Sequence, residues 1–95
     1  MIYKIKFTPI SNKEWEKIDF AIRTQFKKKL EKIIYTPRIP KNRLSGYANI
    51  YKIKLRSSGF RLVYEVKDKQ IIILVLSVGK RENNKVYNDL KDRTD

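Results

Sequence analysis

The sequence contains no cysteine and no histidine. The first absence excludes a disulfide framework and a thiolate nucleophile; the second removes the commonest metal ligand and the usual acid/base residue of enzymes. No run of 18 apolar residues occurs, so no membrane-spanning helix and no membrane partner are expected. The opening Met-Ile-Tyr-Lys-Ile-Lys-Phe carries charge where a secretory signal needs an apolar stretch, which points to a cytoplasmic protein. Glycine and proline are held to three each, and no repeat, low-complexity segment or linker interrupts the chain. Any chemistry therefore falls to Lys, Arg, Tyr, Ser or carboxylates, and neither a metal site nor a cofactor is expected.

Acidic residues are also scarce. Ten Asp and Glu face 23 Lys and Arg, a net charge of +13 on 95 residues. So large an excess costs self-repulsion in the folded state and commonly marks a polyanionic partner. A hydrophobic content of 41% in this length suits one core, hence a single domain over residues 1–95.

The basic charge is organised in residues 51–66. Tyr51, Ile53 and Leu55 alternate with Lys52, Lys54 and Arg56, and Phe60, Leu62, Tyr64 and Val66 alternate with Arg61, Val63 and Glu65. This period of two predicts a β-hairpin with one buried and one solvated face, turning at Ser57-Ser58-Gly59. Opposing Arg56 to Arg61 puts every apolar pair on one face and gathers Lys52, Lys54, Arg56 and Arg61 on the other, with Glu65 opposite Lys52. Slipping the pairing by one residue drives Arg61 into the core. Like charges so gathered repel by about 0.2–1 kcal/mol per opposed pair. The patch points to an anionic partner.

Around the hairpin, residues 2–7 alternate as a first strand ended by Thr8-Pro9. Ser11-x-x-Glu14 has the form of a capping box and predicts a helix start there. Trp15, Ile18, Ile22, Phe26, Leu30 and Ile33 follow at steps of three and four, one apolar stripe. Asp19 is a candidate N-cap inside that run, so two helices bent near Ile18–Phe20 are expected. Lys27-Lys28-Lys29 reads as a solvated helix back, with a phosphate-binding strip as its alternative. Prolines 37 and 40 end the second helix, and the loop to Gly46 carries Lys41, Asn42 and Arg43 within reach of phosphates. Ile71–Leu76 is apolar without alternation, an interior strand that delivers Ser77-Val78-Gly79-Lys80-Arg81. Asn83 or Asn84 caps a short last helix bearing Val86, Tyr87 and Leu90.

Lys-Glu-Trp at 13–15, the run from Tyr51 to Tyr64, and Ser-Val-Gly-Lys-Arg-Glu at 77–82 followed by Val86-Tyr87 resemble, in that order, the RelE family of bacterial and archaeal toxins. The resemblance covers nearly the whole chain. It implies an α+β domain in which a small, mainly antiparallel four-stranded sheet carries two N-terminal helices on one face and a short C-terminal helix. It also implies an mRNA interferase that cuts the codon exposed in the ribosomal A site of the 30S subunit, and a RelB-like antitoxin that neutralises it. By motif position, Lys52 and Lys54 match the family's catalytic lysines, Arg61 and Arg81 its arginines, and Tyr87 its C-terminal tyrosine; Arg43, Arg56 and Lys80 are further candidate RNA contacts. The chain departs from the pattern at Ser45, which stands before Gly46 where the family carries arginine.

These residues suit strand scission, because RNA supplies its own nucleophile in the 2′-hydroxyl. Lys54, with Lys52, is the candidate base, since crowded cations favour a neutral amine. Arg61 is the candidate phosphate clamp. Arg81 suits stabilisation of charge on the leaving oxygen, a guanidinium being a poor proton donor, and Tyr87 suits either stacking on a base or orienting the phosphate through its hydroxyl. Two rival readings are a ParE-like inhibitor of DNA gyrase and a basic nucleic-acid-binding module that cuts nothing.

Overall fold

The computed structural model describes residues 1–80. Arg81, Tyr87 and the helix expected after Asn83 or Asn84 lie outside the described residues. Strand β1 (Lys4–Phe7) leads into helix α1 (Pro9–Lys17), and helix α2 (Phe20–Ile33) follows. A loop containing one 3-10 turn at Pro40–Asn42 reaches β2 (Ile50–Leu55), then β3 (Phe60–Lys67) and β4 (Ile72–Lys80). The strands form one sheet in the order β1-β4-β3-β2. Both hairpin pairings are antiparallel and β1 joins β4 in parallel, which bears out the α+β class.

The expected capping box is not what starts α1. Thr8 is the N-cap, its side-chain oxygen accepting from the Ser11 N–H at 3.1 Å, and Pro9 occupies the first helical position. Ser11 and Glu14 instead serve the sheet. Pairing between β1 and β4 stops at Phe7 and Val75, so the outer edge of β4 beyond that point lacks a strand partner. Ser11 Oγ donates to the Val75 carbonyl at 2.7 Å, and Glu14 Oε1 accepts from the Val78 N–H at 3.1 Å. Glu14 thus stands in for a strand at Val78, while the fully buried Ser11 hydroxyl is satisfied by a Val75 carbonyl that also accepts from the Thr8 N–H at 3.3 Å.

The helices divide where expected, with Asp19 at the N-cap position of α2 though without a side-chain cap bond. Phe26, Leu30 and Ile33 are buried, and Trp15, Ile18 and Ile22 pack beside them. This stripe covers the sheet face made by Tyr51, Ile53, Leu55, Leu62, Tyr64, Val66, Ile73, Val75 and Val78. On the opposite face, Ile50, Val63 and Leu76 form a smaller cluster under Leu44 and Tyr47 of the loop. A bulge shifts the β3–β4 register between Val63↔Ser77 and Tyr64↔Val75. Leu76 is the extra residue, so it and Ser77 stay off the helix-covered face while Val75 and Val78 both reach it.

The hairpin register differs from expectation. Leu55 pairs with Phe60, Lys54 with Arg61, Ile53 with Leu62, and Tyr51 with Tyr64. Arg56 is thereby released from the strand into the turn, and Glu65 faces Ile50 rather than Lys52. Gly59 decides this: at φ +77 its N–H donates to the Leu55 carbonyl, closing the turn immediately before β3.

The loop before β2 is tied down from below. The Tyr64 hydroxyl donates to the Pro37 carbonyl at 2.8 Å, and Tyr64 stacks on Tyr51 with ring centroids 5.6 Å apart. Arg38 Nη2 meets Asp68 at 2.6 Å and Asn49 at 2.9 Å, while the Tyr3 hydroxyl donates to the other Asp68 oxygen at 2.8 Å. The guanidinium, then the phenol, hold the Asp68 carboxyl below its ordinary range, and Asp68 in turn raises the Tyr3 hydroxyl.

Candidate nucleic-acid interface

The three antiparallel strands present rows of cross-strand neighbours on the face opposite the helices. One row runs Lys54, Arg61, Gly79; the next runs Lys52, Val63, Ser77. Alternation along β2 and β3 puts all six on one side, so the two lysines and Arg61 share a patch, as their spacing in the sequence implies. Lys54 is exposed, Lys52 half-buried, and Arg61 only 8% exposed. Arg61 Nη1 donates to the Phe60 carbonyl at 3.3 Å, whereas its Nε is buried with no hydrogen-bond partner among the described residues. A guanidinium so held has few conformations left to lose when it meets an anion. Glu65, farther along the same side of β3, lies 3.8 Å from Lys67.

The remaining candidates are more dispersed. Arg56 sits at the hairpin turn and is exposed. Lys80 pairs with Phe60 and holds its ammonium 5.6 Å from that ring, so it belongs to the row adjoining the helix-covered face. Arg43 bridges to Tyr51, and its Nη1 donates to the Tyr47 carbonyl at 2.9 Å. That bond holds the loop across Ser45 and Gly46, the latter at φ +86.

A groove of about 530 Å³ opens along the free edge of β2. Lys29 and Lys32 of α2, Lys41 and Asn42 of the 3-10 turn, and Lys52, Lys54 and Arg56 of the hairpin line it over a floor of Ile33, Ile39 and Ile53, with no carboxylate among them. Lys29, read in the sequence as part of a solvated helix back with a phosphate-binding strip as its alternative, and Lys32, given no role there, meet the hairpin in this groove. Their spacing of three does put them on one face, but only the docking of α2 beside β2 turns that face toward the hairpin. Among the described residues no group of three potential metal ligands is found, and no helix is long and apolar enough to cross a membrane.

Comparison with known proteins agrees with this geometry. A family model described as the ParE toxin of the type II toxin-antitoxin system parDE matches residues 5–85. An Escherichia coli protein named as RelE-like toxin is 54% identical over 93 residues, spanning 98% of each chain. The mRNA interferase toxin RelE of Escherichia coli K12 is 47% identical over the same span. Among solved structures, a mutant of E. coli toxin RelE in the free state superposes with a TM-score of 0.90 at 46% identity, covering 98% of both chains. The toxin of the intact E. coli RelBE toxin–antitoxin complex gives 0.80 at 49% identity, over 82% of this chain and 95% of that one. By sequence matched end to end and by a shared sheet and helix pair, the chain belongs to the RelE family of type II toxins.

Proposed function

We propose that this chain is the toxin of a type II toxin–antitoxin pair, a cytoplasmic, single-domain, ribosome-dependent mRNA interferase countered by a RelB-like antitoxin. The observation that carries the reading is the close set of Lys52, Lys54 and Arg61 on one face of the hairpin, with Arg61 almost fully buried. The relatives named as mRNA interferases support it, and a RelE mutant solved with a RelB peptide supports the partner.

In the proposed reaction the 2′-hydroxyl of the codon attacks the adjacent phosphorus in line. A bond forms from O2′ to phosphorus and the bond from phosphorus to O5′ breaks, leaving a cyclic phosphate and a 5′-hydroxyl. Lys54, with Lys52 beside it, takes the 2′-hydroxyl proton. Arg61 pairs with the non-bridging oxygens as negative charge builds there. Arg81 offsets charge on the departing O5′, which takes a proton from water, and Tyr87 stacks on a base. Arg43, Arg56 and Lys80 hold neighbouring phosphates. This set provides charge but little positioning, so the ribosome supplies the fixed codon path that lowers the entropic barrier.

Primer extension on a defined message, with and without translating ribosomes, tests the proposal. Cuts are expected only on translated message and in phase with codons. Arg61→Ala lowers cleavage by more than tenfold if the clamp gives over about 1.4 kcal/mol to the transition state. Rapid cutting of free RNA would overturn ribosome dependence. Intact message in both arms, with inhibition of DNA gyrase, would instead favour the ParE-like activity that the matched family description raises; salt-dependent binding without cutting would favour a simple nucleic-acid-binding module.

A further inference from the structure

Gly79 is the member of the central row that has no side chain. Its φ lies outside the left-handed region that Gly46 and Gly59 occupy, so the backbone there does not require glycine. Nor does packing: a Cβ built on Gly79 would meet no heavy atom of the described residues within 4 Å. Glycine inside a strand weakens it, and where neither turn nor bulge explains one, it marks close approach by something outside the strand. The bulge of β4 lies at Leu76, three positions earlier.

Directly across from Gly79 stands Arg61, 8% exposed and with a buried Nε that no described group satisfies. A guanidinium so sparsely partnered on a basic face favours an anion at the small part of it that is exposed, the Nε itself being closed to solvent. Among the described residues the space over Gly79 is open, so an anion can descend on that side of Arg61, with Lys54 on the other.

We infer that Gly79 is a clearance position for RNA: the missing side chain lets the phosphodiester backbone settle beside β4 and bring its phosphate to Arg61. This rests on the interferase reading and adds to it a requirement on side-chain volume at a position that carries no functional group.

The test is a graded series, Gly79→Ala, Gly79→Val and Gly79→Leu, read by single-turnover cleavage of ribosome-bound message, by toxin binding to the ribosome, and by thermal melting. Cleavage is expected to fall stepwise with side-chain size, by more than tenfold for leucine, while ribosome binding stays within threefold. Melting temperatures are expected to hold or rise, β-branched valine being favoured in a strand. Wild-type cleavage by the leucine variant would overturn the inference, as would equal losses for alanine and leucine, which would indicate backbone freedom instead of clearance. If leucine prevents folding, the alanine and valine steps carry the same comparison. An inactive wild-type protein would count against the interferase reading itself; an active wild type with an equally active series would sink the clearance role alone.

Discussion

Replacing Tyr64 with phenylalanine isolates one hydrogen bond whose loss is measurable. The ring is fully buried, stacked on Tyr51, and its hydroxyl donates to the Pro37 carbonyl at 2.8 Å. Phenylalanine keeps the ring and its packing, so the perturbation is confined to the missing donor and the stranded carbonyl. A buried polar group left unsatisfied costs about 1–3 kcal/mol, and in a domain this small each kcal/mol moves the melting midpoint by roughly 4–8 °C. Calorimetry or urea melts of Tyr64→Phe beside the wild type read this directly.

The alkaline limb gives an independent check. Burial pushes the Tyr64 hydroxyl well above its ordinary range, so the folded chain keeps the proton while the unfolded chain releases it near pH 10. The contribution of this group is complete below about pH 10 and is lost as pH rises toward the folded value. Phenylalanine has no such proton, so the stability gap between the two proteins narrows above about pH 10. Equal midpoints at neutral pH, or a gap independent of pH through the alkaline range, would refute the role assigned to this bond.

Asp68→Asn is expected to flatten the acid limb of stability. Its lowered carboxyl contributes above its unfolded pKa, near 3.8, and that contribution disappears as pH falls through the lower folded value; melting points taken from neutral pH downward check the difference from wild type. Ser11→Ala removes the 2.7 Å donor to the Val75 carbonyl, which keeps the Thr8 N–H at 3.3 Å, and costs about 0.5–1.5 kcal/mol. Amide exchange in the first turn of α1 stays slow in that variant but speeds up in Thr8→Ala, where the cap is lost. The reverse pattern would restore the capping box to Ser11.

The two faces of the hairpin were legible because alternation has a period of two, and any error of two residues in pairing leaves every side chain on its own face. That insensitivity is also why Arg56 was placed opposite Arg61: both registers have four-residue turns and the same inward set. What separates them is the left-handed glycine closing the turn, a detail of φ at Gly59 that alternation does not carry. The capping box misled for a related reason. Ser-x-x-Glu is a local pattern, but the hydroxyl and carboxylate bond nonlocally to backbone groups at Val75, where the pairing of β4 with β1 stops, and at Val78 beyond it. The groove was illegible altogether, since nothing in the α2 sequence says which lysines will face β2.

The parallel pairing of β1 with β4 joins residues 4–7 to residues 72–75. A chain leaving the ribosome from its N-terminus can form α1, α2 and the β2–β3 hairpin early, yet β1 stays without its neighbour until almost the whole described chain has emerged. Ser11 and Glu14 wait equally long for their β4 partners. The sheet is thereby closed late, although the β2–β3 hairpin that carries Lys52, Lys54 and Arg61 can form before it. Topology here sets an order of assembly: the basic hairpin first, and the row that joins Arg61 to Gly79 only once β4 is available.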